Sequence, residues 1–177
     1  MGYDRTAHTV VFVKNTTEAI NLLASRIPFA RGDVVITTAM EHHSNDLPWR
    51  PRAHVEYVSV DRDGALVVDE LEQLLHAYRG RVRLVATTGA SNVSGYLPPI
   101  HDMAEVAHRY GAQILVDAAQ LAPHRRIDMR RPGSSRCLDF VAYSAHKIYA
   151  PFGSGVLIGP ESFFRQGPPG YRGGGTI

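Results

Sequence analysis

Short apolar runs alternate with amphipathic segments along this chain. Runs rich in β-branched residues predict strands, and apolar residues spaced three or four positions apart predict helices. The predicted strands, in chain order, are 9–13, 33–37, 55–60, 82–87, 113–116, 140–144 and 155–158. The predicted helices are 18–27, 68–78 and 100–110. Strands that alternate with helices in this way indicate an α/β fold built around a mostly parallel sheet.

Polar segments follow five of these strands. They are Asn-Thr-Thr-Glu at 15–18, Glu-His-His-Ser-Asn at 41–45, Ser-Asn-Val-Ser-Gly at 91–95, Asp-Ala-Ala-Gln at 117–120 and Ser-Ala-His-Lys at 144–147. In an open α/β sheet, ligands bind at the carboxyl ends of the strands, in the loops that lead to the helices. We therefore expect these five segments to meet at one edge of the sheet and to form the functional site.

The first polar segment, 15–18, allows two interpretations. Asn15 and Glu18 have the spacing of a helix capping box. A helix N-terminus that carries Thr16 and Thr17 also suits a phosphate, because free backbone N–H groups and the helix dipole attract an anion. Considered alone, the segment favours the capping interpretation.

The adjacent histidines His42 and His43, next to Glu41, raise the question of a metal site. Neighbouring side chains on an extended segment point to opposite sides, so the two imidazoles do not readily bind one ion. We therefore expect no metal ion here. A flat imidazole that lines a pocket fits the segment better.

Two charged residues stand at predicted strand ends, where they could face a ligand. Asp117 follows a buried apolar run, which suits either a helix cap or a functional carboxylate in a cleft of low dielectric constant. Gln120, three positions later, could project toward the same ligand. Lys147 lies beside His146 and among small residues, which makes its amine a candidate for Schiff-base chemistry.

Composition narrows the class of protein. The 177 residues are 44% hydrophobic and 20% charged, which is typical of one globular domain and not of a disordered chain. The formal net charge of +2 gives no electrostatic reason to expect a nucleic-acid partner. The basic residues at 124–126 and 130–131 are expected to form a solvated loop. No apolar run reaches the roughly 18 residues that would span a membrane. The single cysteine, Cys137, excludes an internal disulfide framework and favours a cytoplasmic location.

Together, the five polar segments resemble those of the class V aminotransferase superfamily of pyridoxal-phosphate enzymes. They occur in the family order over almost the whole chain, and the similarity is strongest to cysteine desulfurases of the sulfur-mobilising type. The resemblance implies the large domain of an aspartate-aminotransferase-like fold, with three α/β/α layers and a mostly parallel mixed sheet. It also implies pyridoxal 5′-phosphate, an amino-acid substrate such as L-cysteine, and a homodimer in which the glycine-rich stretch Gly173–Thr176 reaches the partner's site.

The same resemblance implies roles for individual residues. Lys147 would hold the cofactor as a Schiff base and then move the substrate α-proton. Asp117 would keep the pyridine nitrogen protonated, and Gln120 would hydrogen-bond the phenolic oxygen. His42 would stack on the ring and take part in proton transfer, and Asn92 would lie near the substrate carboxylate. The phosphate would be bound by Thr16, Thr17, Ser144 and His146.

The chain also departs from the family pattern. Family members usually carry a segment ahead of the Asn-Thr-Thr motif and a smaller domain after the glycine-rich stretch. We therefore expect residues 1–177 to form the cofactor-binding domain alone, without the substrate-binding arginine and the nucleophilic cysteine of desulfurases. Cys137 precedes the strand 140–144, so we expect it at the far edge of the sheet as a structural residue. Another class V activity (epimerase, lyase or aminotransferase) and a non-catalytic remnant of the family remain alternatives.

Overall fold

A computed structural model describes residues 2–167 of the chain. Within that range, strands and helices alternate in the predicted order. The strands are β1 (His8–Val13), β2 (Val34–Thr38), β3 (His54–Val58), β4 (Val82–Thr88), β5 (Gln113–Asp117), β6 (Phe140–Ser144) and β7 (Gly155–Pro160). The helices are α1 (Thr16–Arg26), α2 (Val68–Ala77), α3 (Ile100–Arg109) and the short α4 (Glu161–Phe164). The short helix α4 and two 3₁₀ turns, His43–Asn45 and Ala145–Ile148, are absent from the sequence-based prediction.

The strand order of the sheet is β1-β7-β6-β5-β4-β2-β3. Strands β2 to β6 run parallel, whereas β7 is antiparallel to both of its neighbours, β6 and β1. β1 therefore points in the same direction as β6, and the carboxyl ends of β1 to β6 share one edge. The prediction of a mostly parallel mixed sheet is confirmed.

Helices cover both faces of this sheet. On one face, α2 and α3 bury residues such as Leu71 against the central strands. On the other face, α1 buries Ile20 and its apolar neighbours. In β5, Ile114 contacts the first cluster and Leu115 the second, because successive side chains of a strand point to opposite faces. Burial on both faces explains why the parallel strands are continuous apolar runs, and it confirms the three-layer α/β/α architecture.

Helix α1 begins with the capping box predicted at 15–18, in altered form. The side-chain oxygen of Asn15 accepts a hydrogen bond from the backbone N–H of Glu18 at 2.9 Å. The carboxylate of Glu18 accepts from the N–H of Lys14 at 2.5 Å, one residue earlier than in the usual motif. These two bonds fix the direction in which the chain enters the first turn, where Thr16 and Thr17 lie.

Gly155, the first residue of β7, allows β1 and β6 to approach each other at the site edge. It pairs with Val13 on one side and with Ser144 on the other. A Cβ at this position would lie 2.8 Å from the Cα of Asn15 and 3.0 Å from the carbonyl oxygen of Tyr143. A residue without a side chain is therefore needed for the start of α1 to pack on the end of β6.

Three further expectations concern the surface and the ends of the chain. The arginines at 125–126 and 130–131 are exposed, as expected of a solvated loop. Among residues 2–167, no helix has the length and apolar character needed to cross a membrane. The stretch Gly173–Thr176, predicted to reach a partner's site, lies outside the described residues.

Candidate functional site

One cavity of about 290 Å³ opens at the carboxyl edge of the sheet. All nine residues that the sequence analysis nominated line this cavity: Thr16, Thr17, His42, Asn92, Asp117, Gln120, Ser144, His146 and Lys147. The fold therefore brings together five loops that are up to about 130 positions apart in the chain. Their individual roles toward a ligand remain predictions.

The floor of the cavity is formed where α1 begins and β6 ends. The hydroxyl of Ser144 accepts a hydrogen bond from the backbone N–H of Thr16 at 2.8 Å, and the two hydroxyl oxygens lie 2.8 Å apart. Both residues are buried, whereas Thr17, the next residue of α1, is exposed. A helix N-terminus lined by hydroxyl groups provides the donors and the dipole that bind an anion.

Asp117 supplies a buried carboxylate at the end of β5. Its side chain accepts a hydrogen bond from the N–H of Ala119 at 2.9 Å, as a residue that caps a turn does. Burial raises the pKa of Asp117, and this effect is opposed by that hydrogen bond, by the positive charge of Lys147 and by the nearby imidazole of His42. A cation placed beside this carboxylate would offset the cost of burying its charge.

His42 is held by Ser44 within the loop that follows β2. The backbone N–H of Ser44 donates to Nδ1 of His42 at 3.1 Å, and the Ser44 hydroxyl lies 3.0 Å from the same nitrogen. Because a backbone N–H can only donate, Nδ1 is an acceptor, and the neutral ring carries its proton on Nε2. The Ser44 hydroxyl also lies 2.8 Å from that of Thr17, which connects His42 to the start of α1.

His146 provides an observation on what the cavity could hold. Its ring stacks on Phe152, with centroids 4.8 Å apart, and its Nδ1 atom is buried without a hydrogen-bond partner in the described part of the chain. A buried polar atom needs a partner, and His146 lines a cavity that already presents hydroxyl groups. These features fit a ligand that carries a phosphate.

The remaining predicted residues lie nearer to solvent. Lys147 is exposed in the 3₁₀ turn that follows β6, and Asn92 is exposed in the loop after β4. Gln120 is half-buried, three residues after Asp117. The cavity thus combines a floor of hydroxyl groups at a helix N-terminus, a buried carboxylate, a flat imidazole and an accessible primary amine.

Sequence reasoning missed three residues of this region. Ser44 and Thr88 line the cavity, and Glu41 connects the loop that carries His42 to the strand ends. A signal for Glu41 existed, since burying an acidic residue three positions after the end of the buried strand β2 is costly unless donors surround it. Two of those donors, Thr38 and Asn45, are local, whereas the third, the N–H of Thr88, depends on which strands are neighbours, and the local pattern does not contain that information.

Cys137 lies at the opposite edge of the sheet, just before β6, as expected. It is 7% exposed, and burial raises the pKa of its thiol. With His108 and Asp139 it forms a cluster whose possible ligand atoms all lie within 4.8 Å of one another. His108 contacts the carbonyl oxygen of Ser135 through Nδ1 and Asp139 through Nε2, each at 2.8 Å. The hydrogen bond to Asp139 raises the pKa of His108, which favours an imidazolium–carboxylate ion pair over a metal site.

Known proteins are similar to this chain in both sequence and fold. The aminotransferase class-V family matches residues 4–177. A probable cysteine desulfurase of Halalkalibacterium halodurans is 38% identical over 176 residues, which is 95% of this chain and 42% of the relative. A cysteine desulfurase of Enterobacter sp. strain 638 is 40% identical over 181 residues, covering 98% of this chain and 43% of the relative.

A solved structure supports the same assignment. The apo structure of a cysteine desulfurase from Thermococcus onnurineus NA1 superposes with a TM-score of 0.83 at 35% identity, and the match covers 95% of this chain and 42% of that one. The chain therefore spans about two fifths of the length of the relatives that it matches. The family match over nearly every residue, the shared fold and the convergence of five loops on one cavity lead to one conclusion: this chain belongs to the aminotransferase class-V family.

Proposed function

We propose that this chain is the cofactor-binding part of a pyridoxal-phosphate enzyme that acts on an amino acid, with cysteine desulfurase as the activity. The observation that supports the proposal most strongly is the cavity in which buried Asp117 and accessible Lys147 line the same space as an anion-binding helix start. Curated relatives at about 40% identity are named cysteine desulfurases, which supports L-cysteine as the substrate.

The phosphate group would bind at the floor of the cavity. Thr16 and Thr17 offer hydroxyl groups at the start of α1, and Ser144 offers a third. The unpartnered Nδ1 of His146 would gain a hydrogen-bond partner there. Anions are stabilised at this position because the helix dipole and the first-turn N–H groups act together.

The ring would lie between His42 and the end of β5. The carboxylate of Asp117 would accept a hydrogen bond from the protonated ring nitrogen, and the amide of Gln120 would donate one to the phenolic oxygen. When bound, pyridoxal phosphate supplies an electron sink for a negative charge on the substrate α-carbon. The task of Asp117 is to retain its own negative charge despite burial, and a protonated ring nitrogen beside it would reduce that cost.

Two residues would handle protons and one would bind the substrate. The amine of Lys147 is accessible and would bond the cofactor, then accept the α-proton of the substrate. His42, with Nδ1 engaged by Ser44, keeps a proton on Nε2 that it could donate. Asn92, exposed at the mouth, would hydrogen-bond the substrate carboxylate.

The proposal includes a homodimer and a cytoplasmic location. Tyr149 and Phe152, in the loop that follows Lys147, have almost fully exposed aromatic side chains, and Phe152 stacks on His146, which lines the cavity. A second copy that covers this loop would remove them from water. The single cysteine supports a reducing compartment. We expect a dimer in size-exclusion chromatography with light scattering, and a well-folded monomer would contradict this part of the proposal.

A chemical label tests the cofactor part of the proposal. The sequence contains only two lysines, Lys14 and Lys147, so each serves as the control for the other. Purified protein mixed with pyridoxal phosphate should acquire a visible absorption band, which borohydride reduces, and the label should be recovered on Lys147. The Lys147→Ala variant should lose the label and the Lys14→Ala variant should keep it. A folded protein without any band would refute cofactor binding.

A second measurement concerns the reaction itself. L-Alanine formed from L-cysteine by the cofactor-loaded protein before any reduction with borohydride, with sulfide released when a thiol reductant is added, would support the desulfurase activity. Racemisation, amino transfer, or elimination that yields pyruvate and sulfide without alanine would instead show one of the other class V activities. A protein that binds the cofactor and turns over no amino acid would contradict an enzymatic role for this chain.

A further inference from the structure

Glu41 makes three hydrogen bonds at a point where two strands and a turn meet. Its Oε1 atom accepts from the hydroxyl of Thr38 at 2.6 Å and from the backbone N–H of Thr88 at 2.8 Å. Its Oε2 atom accepts from the side-chain amide of Asn45 at 2.7 Å. One carboxylate thus joins the end of β2, the end of β4 and the 3₁₀ turn after His42.

These three contacts surround the residue that carries the imidazole of the site. Glu41 directly precedes His42, and Asn45 ends the turn that begins immediately after it. The turn is anchored further in the core, since the backbone oxygen of Asn45 accepts from the buried indole N–H of Trp49 at 2.9 Å. The backbone on both sides of His42 is therefore fixed to buried parts of the sheet.

We propose that Glu41 is a positioning residue of the cavity: its carboxylate holds the loop that carries His42 against the ends of β2 and β4. Thr88 belongs to the same arrangement, because its N–H donates to Glu41 and Thr88 itself lines the cavity. The part of the inference that concerns cofactor affinity rests on the function proposed above, whereas the part that concerns the placement of His42 does not.

The cost of the arrangement supports a role beyond stability. Loss of contact with water raises the pKa of Glu41 to about 7, although the three donors, from Thr38, Asn45 and Thr88, each lower it. The negative charge of Asp117 raises it further. A carboxylate that is this costly to ionise contributes little net free energy to folding, while its geometry links three separate backbone segments.

Two substitutions separate positioning from bulk stability. Glu41→Gln keeps an acceptor for the N–H of Thr88, and rotation of the Asn45 amide can satisfy the new NH₂ group. Glu41→Leu keeps the volume and removes every acceptor. Glu56 provides the matched control, because it is a carboxylate on β3 that accepts bonds from His54 and Tyr78 away from the cavity.

The first readout is affinity for a probe that cannot react with Lys147. 4-Deoxypyridoxine 5′-phosphate carries the ring and the phosphate and lacks the aldehyde. Glu41→Leu should weaken its binding by about tenfold or more, because the loop that presents His42 to the ring would no longer be held in position. Glu41→Gln should stay within about threefold of the unmodified protein, and Glu56→Leu should match it.

The second readout requires no cofactor. Nitrogen NMR of the ligand-free protein reports whether Nδ1 of His42 accepts the hydrogen bond from Ser44. We expect that signature in the unmodified protein, in Glu41→Gln and in Glu56→Leu, and we expect its loss in Glu41→Leu. If Glu41→Leu does not fold, Glu41→Asp replaces it, because the shorter carboxylate cannot reach both strand ends and should also disturb the signal.

The outcomes distinguish the two proposals. A folded Glu41→Leu or Glu41→Asp variant that keeps both the His42 signature and the probe affinity would overturn the positioning role. If the unmodified protein does not bind the probe, and pyridoxal phosphate does not label Lys147, the proposed function fails. In that case a His42 signature that still depends on Glu41 would support the positioning role by itself.

Discussion

The hydroxyl of Ser144 accepts a hydrogen bond from the backbone N–H of Thr16 at 2.8 Å, across 128 positions of the chain. The bond joins the end of β6 to the start of α1, and both residues are buried. It satisfies one of the N–H groups that every helix leaves without a partner in its first turn. The hydroxyl groups of Thr16 and Ser144 also form the floor of the cavity. The contact that joins β6 to α1 therefore also builds the proposed phosphate site.

Removal of this contact should lower stability. Ser144→Ala leaves a buried N–H without an acceptor, and we expect the free energy of unfolding to fall by about 1–3 kcal/mol. Ser25→Ala is the control, because Ser25 is an exposed serine whose hydroxyl bonds only to its own helix, and it should change stability by less than about 0.5 kcal/mol. Urea unfolding measures both values. Equal effects of the two substitutions would contradict the importance of the Ser144 contact.

The close approach at Gly155 should tolerate no side chain. Gly155→Ala would place a methyl group against the backbone of Asn15, and we expect a loss of about 2 kcal/mol or more together with weaker phosphate binding. Gly80→Ala is the comparison, since Gly80 has a positive φ angle and open space around it. This variant should lose only the free energy that an alanine costs in a left-handed backbone conformation, about 1 kcal/mol. Thermal unfolding should rank Gly155→Ala as the more damaging change.

Stability should decrease as the pH rises from about 4.5 to 8. The pKa of Glu41 is raised from 4.5 to about 7 in the folded protein, so the folded state binds the proton more tightly and loses that advantage as Glu41 ionises. The raised pKa of Asp117 acts in the same direction. The raised pKa of His108 adds stability below pH 6.5 that disappears as its imidazolium deprotonates. Urea unfolding at closely spaced pH values should show this decline.

Glu41→Gln tests the part of that pH dependence that Glu41 carries. A neutral amide has no proton to lose, so the variant should decline less steeply between pH 4.5 and 7, with a difference of at most about 3 kcal/mol from the unmodified protein. Glu56→Gln should not flatten the curve, because the pKa of Glu56 is lowered and not raised. A Glu41→Gln curve parallel to that of the unmodified protein would show that Glu41 does not carry the effect.

Asp117→Asn should separate cofactor attachment from turnover. The substitution keeps the shape of the side chain and removes the charge that would hold a proton on the ring nitrogen. We expect Lys147 to acquire the borohydride-reducible label as before, and we expect most of the activity to be lost in a form that turns over substrate. Unchanged turnover would show that Asp117 does not support the electron sink.

Cys137→Ser should leave cofactor binding and activity unchanged. Cys137 is buried at the amino end of β6, away from the cavity, and burial raises the pKa of its thiol, so little nucleophilic thiolate forms. Mass spectrometry after incubation with L-cysteine should find no persulfide on this residue. A persulfide at Cys137 that the serine variant cannot form would contradict this view of the site.

Several parts of the fold could be predicted from local pattern. The strand 140–144 and the helix starting at residue 100 are predicted at the residues where the structure has them. Other boundaries differ by a few residues: α1 begins at Thr16, two residues before the predicted start, because the cap of Asn15 organises the first turn. The 3₁₀ turns at 43–45 and 145–148 have no apolar periodicity, so no pattern could predict them.

By itself, the sequence determined the alternation of strands and helices, the polar segments that follow five of the strands, and nine of the residues that line the cavity. These depend on neighbours within a few positions and on a rule about strand ends. Only the tertiary structure decided that β7 lies antiparallel between β1 and β6, that Ser144 binds Thr16, and that Glu41 binds Thr88. The last two contacts join residues 128 and 47 positions apart, and such pairs form only when the order of strands in the sheet brings their ends together.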